Sequence, residues 1–149
     1  MNMIIAEAAV RLLKFRAYSQ YELKQKLLKQ NYDELAVNQA IEYVTERGYL
    51  NDAALCNMLL AKYAEINKYS SKESFIRLRR RGLPAALIKA KLADWDEEFE
   101  YHAALKLALK HFSGDESQDM GKVVRRLYAK GFRSATVSKV LERLRDMAP

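Results

Sequence analysis

Apolar residues recur at intervals of three and four along almost the whole chain. Strict alternation is scarce, so the pattern predicts helices throughout. Ile5, Ala9, Leu12 and Leu13 share one face of a first helix between Ile4 and Phe15. Arg16-Ala17-Tyr18 interrupts it, and Ser19-Gln20-Tyr21-Glu22 reads as a capping box. There the serine oxygen accepts from the N3 amide and the glutamate reaches back to the serine N–H. Leu23, Leu27 and Leu28 follow at helical spacing. Asp33 caps a third helix striped by Val37, Ile41 and Val44, and Gly48 ends it in the left-handed conformation that glycine adopts without steric cost. Asn51 or Asp52 opens the next helix, through Leu55, Leu59 and Tyr63. Ser70-Ser71-Lys72-Glu73 is a second capping box, after which Phe75 and Leu78 lead to a stop at Gly82. Pro84 suits the first turn of a helix carrying Leu87, Ile88 and Leu92. Asp96-Glu97-Glu98 sets three acids at the positive end of a helix running to His111. The stretch from Ser113 to Ser117 reads as a loop, and Val123, Val124 and Leu127 as the helix beyond it, stopped by Gly131. Ser134 caps the last helix, with Val137, Leu141 and Leu144 on its apolar stripe.

These nine helices repeat. Aligning Asn31-Tyr32 with Gly82-Leu83 and Gly131-Phe132 gives offsets of 51 and 49 residues. At those offsets Leu27, Leu78 and Leu127 coincide, as do Val37, Ile88 and Val137, and Ile41, Leu92 and Leu141. Ser19 falls on Ser70, with Asp119 at the third position, and Glu22 falls on Glu73. A fixed period with shared helix boundaries marks a repeat protein whose small units support one another. The expected fold class is all-α, with three tandem three-helix repeats at 1–51, 52–94 and 95–149.

Charge follows the same period. The chain has 149 residues and a net charge of +7. The middle helices, residues 19–31, 70–82 and 119–133, carry +2, +4 and +4, so everything else carries −3. Arg77, Arg80 and Arg81 stand at i, i+3 and i+4 and share a face. Lys122, Arg126 and Lys130 form a second stripe, with Arg125 beside it. Lys24, Lys26, Arg79 and Arg133 complete the candidate contact residues. Such stripes suit nucleic acid phosphates, where each neutralised charge releases counterions, or an acidic protein groove. Each cation taken singly also fits a solvated helix C-terminus.

Other chemistry is sparse. The five glycines are scattered and no GxxxxGK[ST] occurs. His102 and His111 lack metal-ligand spacing. Cys56 sits in an apolar helical stretch and reads as core; a lone cysteine fits a reducing cytosol. Asp94, Asp96, Glu97, Glu98 and Glu100 resemble an acidic nuclease cluster in composition, but their place at a helix start favours capping. The longest uncharged run after the start, Ala53 to Ala61, has nine residues. A membrane helix needs about 20. The N-terminus meets an acid at Glu7 and has no basic region, so no signal peptide is expected. No cofactor, no metal and no catalysis are expected.

Four segments carry a family likeness: Arg16-Ala17-Tyr18-Ser19-Gln20-Tyr21-Glu22-Leu23, Gly48-Tyr49-Leu50-Asn51-Asp52, Arg80-Arg81-Gly82-Leu83 and Ala129-Lys130-Gly131-Phe132-Arg133. In this order and spacing they resemble the bacterial recombination regulators of the RecX family, over nearly the whole chain. Asn31 stands where a glycine would end the first middle helix, Asn51 replaces a frequent acid, and Asn67-Lys68-Tyr69-Ser70 lacks a frequent glycine. The resemblance implies an elongated, curved array that lodges in the groove of RecA filaments on DNA and inhibits the ATPase, recombinase and coprotease activities of RecA. It implies a bacterial cytoplasmic monomer, no membrane, and weak nonspecific contact with single- or double-stranded DNA. An alternative is a direct DNA-binding protein of helix-turn-helix type, although the third helices carry an ordinary set (Lys89, Lys91, Ser138, Lys139) rather than evident base readers. An array for some other acidic protein is a third.

Overall fold

The computed structural model describes residues 3–95, 97–111 and 116–147, the side chains of 116–119 excepted. These residues form nine helices and no strand: α1 (Met3–Phe15), α2 (Gln20–Lys29), α3 (Glu34–Glu46), α4 (Asp52–Ile66), α5 (Ser71–Arg80), α6 (Ala85–Ala93), α7 (Glu97–Leu109), α8 (Glu116–Ala129) and α9 (Ser134–Met147). The chain is therefore all-α. The helix α8 begins at Glu116, so the expected loop from Ser113 overran its start, and position 119 lies inside the helix rather than at its cap. Neither glycine nor proline lies between Glu116 and Met120, so nothing in that stretch breaks the helix. Asp96 and residues 113–115 lie outside the described residues.

Two compact units emerge, Met1–Leu59 with Leu78–Ile88, and Leu60–Arg77 with Lys89–Pro149. In the first, α1, α2 and α3 pack together over Ile5, Ala9, Leu23, Leu27, Val37, Val44 and Leu50. In the second, α7, α8 and α9 pack over Ala104, Val123, Leu127, Phe132, Val137 and Leu144. The positions aligned by the sequence repeat share one environment. Leu27, Leu78 and Leu127 are all fully buried, as are Val37 and Ile88, with Val137 nearly so. The same period therefore sets the same inward face.

Helix ends follow the residues that cap them. Ser19 accepts from Glu22 N–H at 3.1 Å while the Glu22 carboxylate accepts from Ser19 N–H at 3.0 Å, a complete capping box. Asp33 accepts from Ala36 N–H and Asn51 from Ala54 N–H, so Asn51 caps α4 and leaves Asp52 free for another role. At the C-termini of α3, α5 and α8, Gly48, Gly82 and Gly131 adopt φ of +79°, +79° and +89°. Each time the glycine N–H reaches the third carbonyl back and the next N–H the fifth, as in a Schellman motif. Asn31, with φ +65°, takes the same place after α2, since asparagine tolerates the left-handed region.

Candidate functional site

The capping serines do more than cap. In the first unit, the Ser19 hydroxyl donates to the carbonyl of Arg81 at 2.5 Å. In the second, the Ser70 hydroxyl donates to the carbonyl of Lys130 at 2.9 Å while accepting from Glu73 N–H. In both cases the serine at the start of one middle helix receives the residue just before the glycine that ends the next. The positive end of one helix thus meets the negative end of another, and orphan donors and acceptors satisfy each other. An acid completes each joint. Asp52 accepts from Gln20 N–H at 2.9 Å, and Glu100 accepts from Ser71 N–H at 3.0 Å.

The approach is close enough to require glycine. A Cβ on Gly82 would sit 2.7 Å from Tyr21 Cβ and Cδ1. One on Gly131 would sit 3.1 and 3.2 Å from Lys72 Cδ and Cβ. At Gly48, which makes no joint, a Cβ would meet nothing within 4 Å.

The joints draw in part of the basic set. The Arg81 guanidinium pairs with Glu22 through Nε at 2.9 Å and through a terminal nitrogen at 3.2 Å, and it also donates to the Ala17 carbonyl. Arg133 Nε lies 2.9 Å from Glu100, which is only 1% exposed and also accepts from the Thr136 hydroxyl. Burial pushes the Glu100 carboxyl up, but the Thr136, Arg133 and Ser71 donors outweigh it and hold the group below the usual carboxylate range. Glu22 behaves likewise: burial raises it, and Arg81, Ser19 N–H and the Arg16 charge lower it further. Asp52 goes the other way, because burial outweighs its single amide donor and Glu22 adds a like charge.

The remaining candidates divide cleanly. Arg77 Nε holds Glu73 at 3.0 Å on its own helix, Arg79 donates to the Leu83 carbonyl, and Lys24 lies 3.4 Å from Glu34. Lys26, Arg80, Lys122, Arg125, Arg126 and Lys130 are exposed and form no ion pair among the described residues. Four of these six lie on or just after α8, outside its buried Val123 and Leu127. Their field is felt nearby: partial burial and then the charges of Arg126, Lys122 and Lys110 hold the His111 imidazole below its ordinary value. The acids of α7 split too. Glu98 pairs with Lys139 at the surface, whereas Glu100 is the buried centre of a joint. Reading them together as capping acids missed Glu100; its signal was the repeat, which places it next to the register of Asp52.

Cys56 is fully buried in α4. Among the described residues no group of three His, Cys, Asp or Glu is placed to hold a metal, and no helix is long and apolar enough to cross a membrane.

Residues 7–43 match the family model of the first three-helix domain of RecX. Regulatory protein RecX of Chlorobium limicola is 26% identical over 97% of this chain and 91% of its own length. The protein of the same name from Trichlorobacter lovleyi is 29% identical over 91% of this chain and 92% of its own. In fold, the chain is similar to the crystal structure of RecX from Lactobacillus salivarius, with a TM-score of 0.87 at 18% identity, covering 97% of this chain and 96% of that one.

Proposed function

We propose that the chain is a member of the RecX family of regulatory proteins, a reading supported by its likeness to RecX proteins over nearly its whole length, and that it binds filaments of the RecA recombinase on DNA and restrains their ATPase, recombinase and coprotease activities. It acts as a monomer in the bacterial cytoplasm, by binding and not by catalysis. The observation that carries the reading is the surface left over once the joints are built. Arg81, Arg133, Arg79 and Lys24 are held by the protein itself. Lys122, Arg125 and Arg126 on α8, and Lys130 just after it, stay exposed and form no ion pair among the described residues. Like charges at i, i+4 destabilise an isolated helix by a few tenths of a kcal/mol per pair, a cost that an acidic partner offsets. Lys26 and Arg80 extend the same chemistry to the other middle helices. The acidic surface of a nucleoprotein filament supplies both carboxylates and phosphates to such a stripe, with the DNA share weak and nonspecific.

Cosedimentation with RecA filaments formed on single-stranded DNA tests this. Binding to filaments that falls at least tenfold in Lys122→Glu/Arg126→Glu/Lys130→Glu, with much weaker binding to DNA alone, is the expected result. Strong sequence-dependent binding to naked duplex, with none to filaments, would establish the helix-turn-helix reading instead.

A further inference from the structure

The second unit contains a cavity of about 320 Å³ beside the Ser70–Lys130 joint, whose residues form part of its lining. One wall is apolar, built by Ile66, Ala103 and Leu107. The rest is cationic: Lys68, Arg77, Lys106, Lys110 and Lys130 line it against a single acid, Glu73. Two of the five cations are fixed in place. Arg77 is held through Nε by Glu73, and its guanidinium carbon lies 4.1 Å over the Tyr69 ring. Tyr69 is in turn buttressed by the edge of Tyr63, with centroids 5.2 Å apart. Lys106 donates to the Ile66 carbonyl at the end of α4, 3.1 Å away.

A concavity ringed by one sign of charge focuses its potential on the space inside. Its volume is at the lower end of small-molecule pockets, roughly 300–1,000 Å³, and a helix about 10–12 Å across does not enter it. The occupant must be compact, multiply anionic, and apolar on one side. A positioned guanidinium fork surrounded by ammonium groups matches phosphoryl oxygens, and prior ordering of Arg77 and Lys106 lowers the entropy cost of binding. We infer that this cavity binds a nucleoside di- or triphosphate, with the phosphates on the cationic rim and the base against Leu107 and Ala103. This site goes beyond the filament reading and stands whether or not that reading holds.

Calorimetric titration of the full chain with ATP, with pyrophosphate as competitor, tests it. The account expects one site, displacement of ATP by pyrophosphate, and at least tenfold weaker binding in Lys68→Glu/Lys110→Glu. The neutral pair Lys68→Gln/Lys110→Gln weakens it less, in a chain that melts like the parent. Lys14→Glu/Lys29→Glu, which removes the same charge from the first unit, leaves the affinity unchanged. Absence of binding at millimolar ATP, failure of pyrophosphate to compete, or equal weakening by the first-unit pair would each overturn the assignment. So would a single-stranded oligonucleotide that needs Lys68 and Lys110 when ATP does not bind, which would give the cavity to a polymer backbone.

Discussion

Alanine substitution at three glycines separates the two demands that the joints place on them. Gly48, Gly82 and Gly131 share a left-handed backbone, so each variant carries the same conformational cost, on the order of 1–2 kcal/mol. At Gly48 that is the whole cost, because the new methyl enters open space. At Gly82 the methyl lands 2.7 Å from Tyr21 Cβ and Cδ1 and 3.0 Å from Ser19 Oγ. The ring can rotate away, but the Tyr21 Cβ belongs to the first turn of α2, so relief requires the two helix ends to separate. Separation lengthens the Ser19–Arg81 bond and strains the Glu22–Arg81 pair. Overpacking of this kind adds about 1–3 kcal/mol, which brings Gly82→Ala to roughly 2–5 kcal/mol in all. Gly131→Ala falls between, since its nearest neighbour is the flexible end of Lys72 at 3.1 Å, with Lys72 Cβ and Ser70 Oγ at 3.2 Å. Equilibrium urea denaturation followed by circular dichroism reads the order Gly48→Ala, Gly131→Ala, Gly82→Ala from mildest to most severe. Equal losses at Gly48 and Gly82 would refute the claim that the joint closes on Gly82.

Removing either joint hydroxyl, Ser19→Ala or Ser70→Ala, costs more than the usual loss of about 1 kcal/mol for an N-cap. The carbonyl of Arg81 or Lys130 loses its donor as well; thermal melts of the two variants check this against Asp33→Ala, a cap without a joint. Glu100 has a folded pKa below its ordinary 4.5, so it contributes stability above that value and loses it as pH falls through the folded pKa. Melts of Glu100→Gln should accordingly be lower than those of the parent at pH 7, and the gap should narrow below about pH 4.5. A gap that stays constant with pH would show that packing, not charge, is what the variant removes.

The helices, their stops and their inward faces were legible because they depend on residues three to five apart. Ser19 with Glu22, Asp33 with Ala36, and Gly82 after Leu78 all announce themselves locally, and the repeat carries Leu27 onto Leu78 and Leu127. The start of α8 was misjudged because small polar residues after Gly114 look like loop, although nothing in them breaks a helix. The joints were not legible. Arg81 meets Glu22 59 residues away, and Arg133 meets Glu100 33 residues away; no local spacing signals either pair. Charge counting assigns those arginines to a surface stripe alongside Arg80 and Arg126, and only tertiary packing distinguishes the four. Ser19 and Ser70 were read correctly as caps, whereas Ser134 lies inside α9 as its first residue; a cap leaves its hydroxyl proton unspent. Where that proton goes depends on which helix end arrives beside it.

The proposed function meets its most direct test in the DNA-dependent ATPase of RecA, measured while this protein is titrated in. The account predicts inhibition by the parent chain. It predicts that Lys122→Glu/Arg126→Glu/Lys130→Glu, folded as judged by its melt, needs at least tenfold more protein for the same effect, while Lys14→Glu/Lys29→Glu inhibits as the parent does. An ATPase rate that is unchanged at every concentration of the parent protein would contradict it.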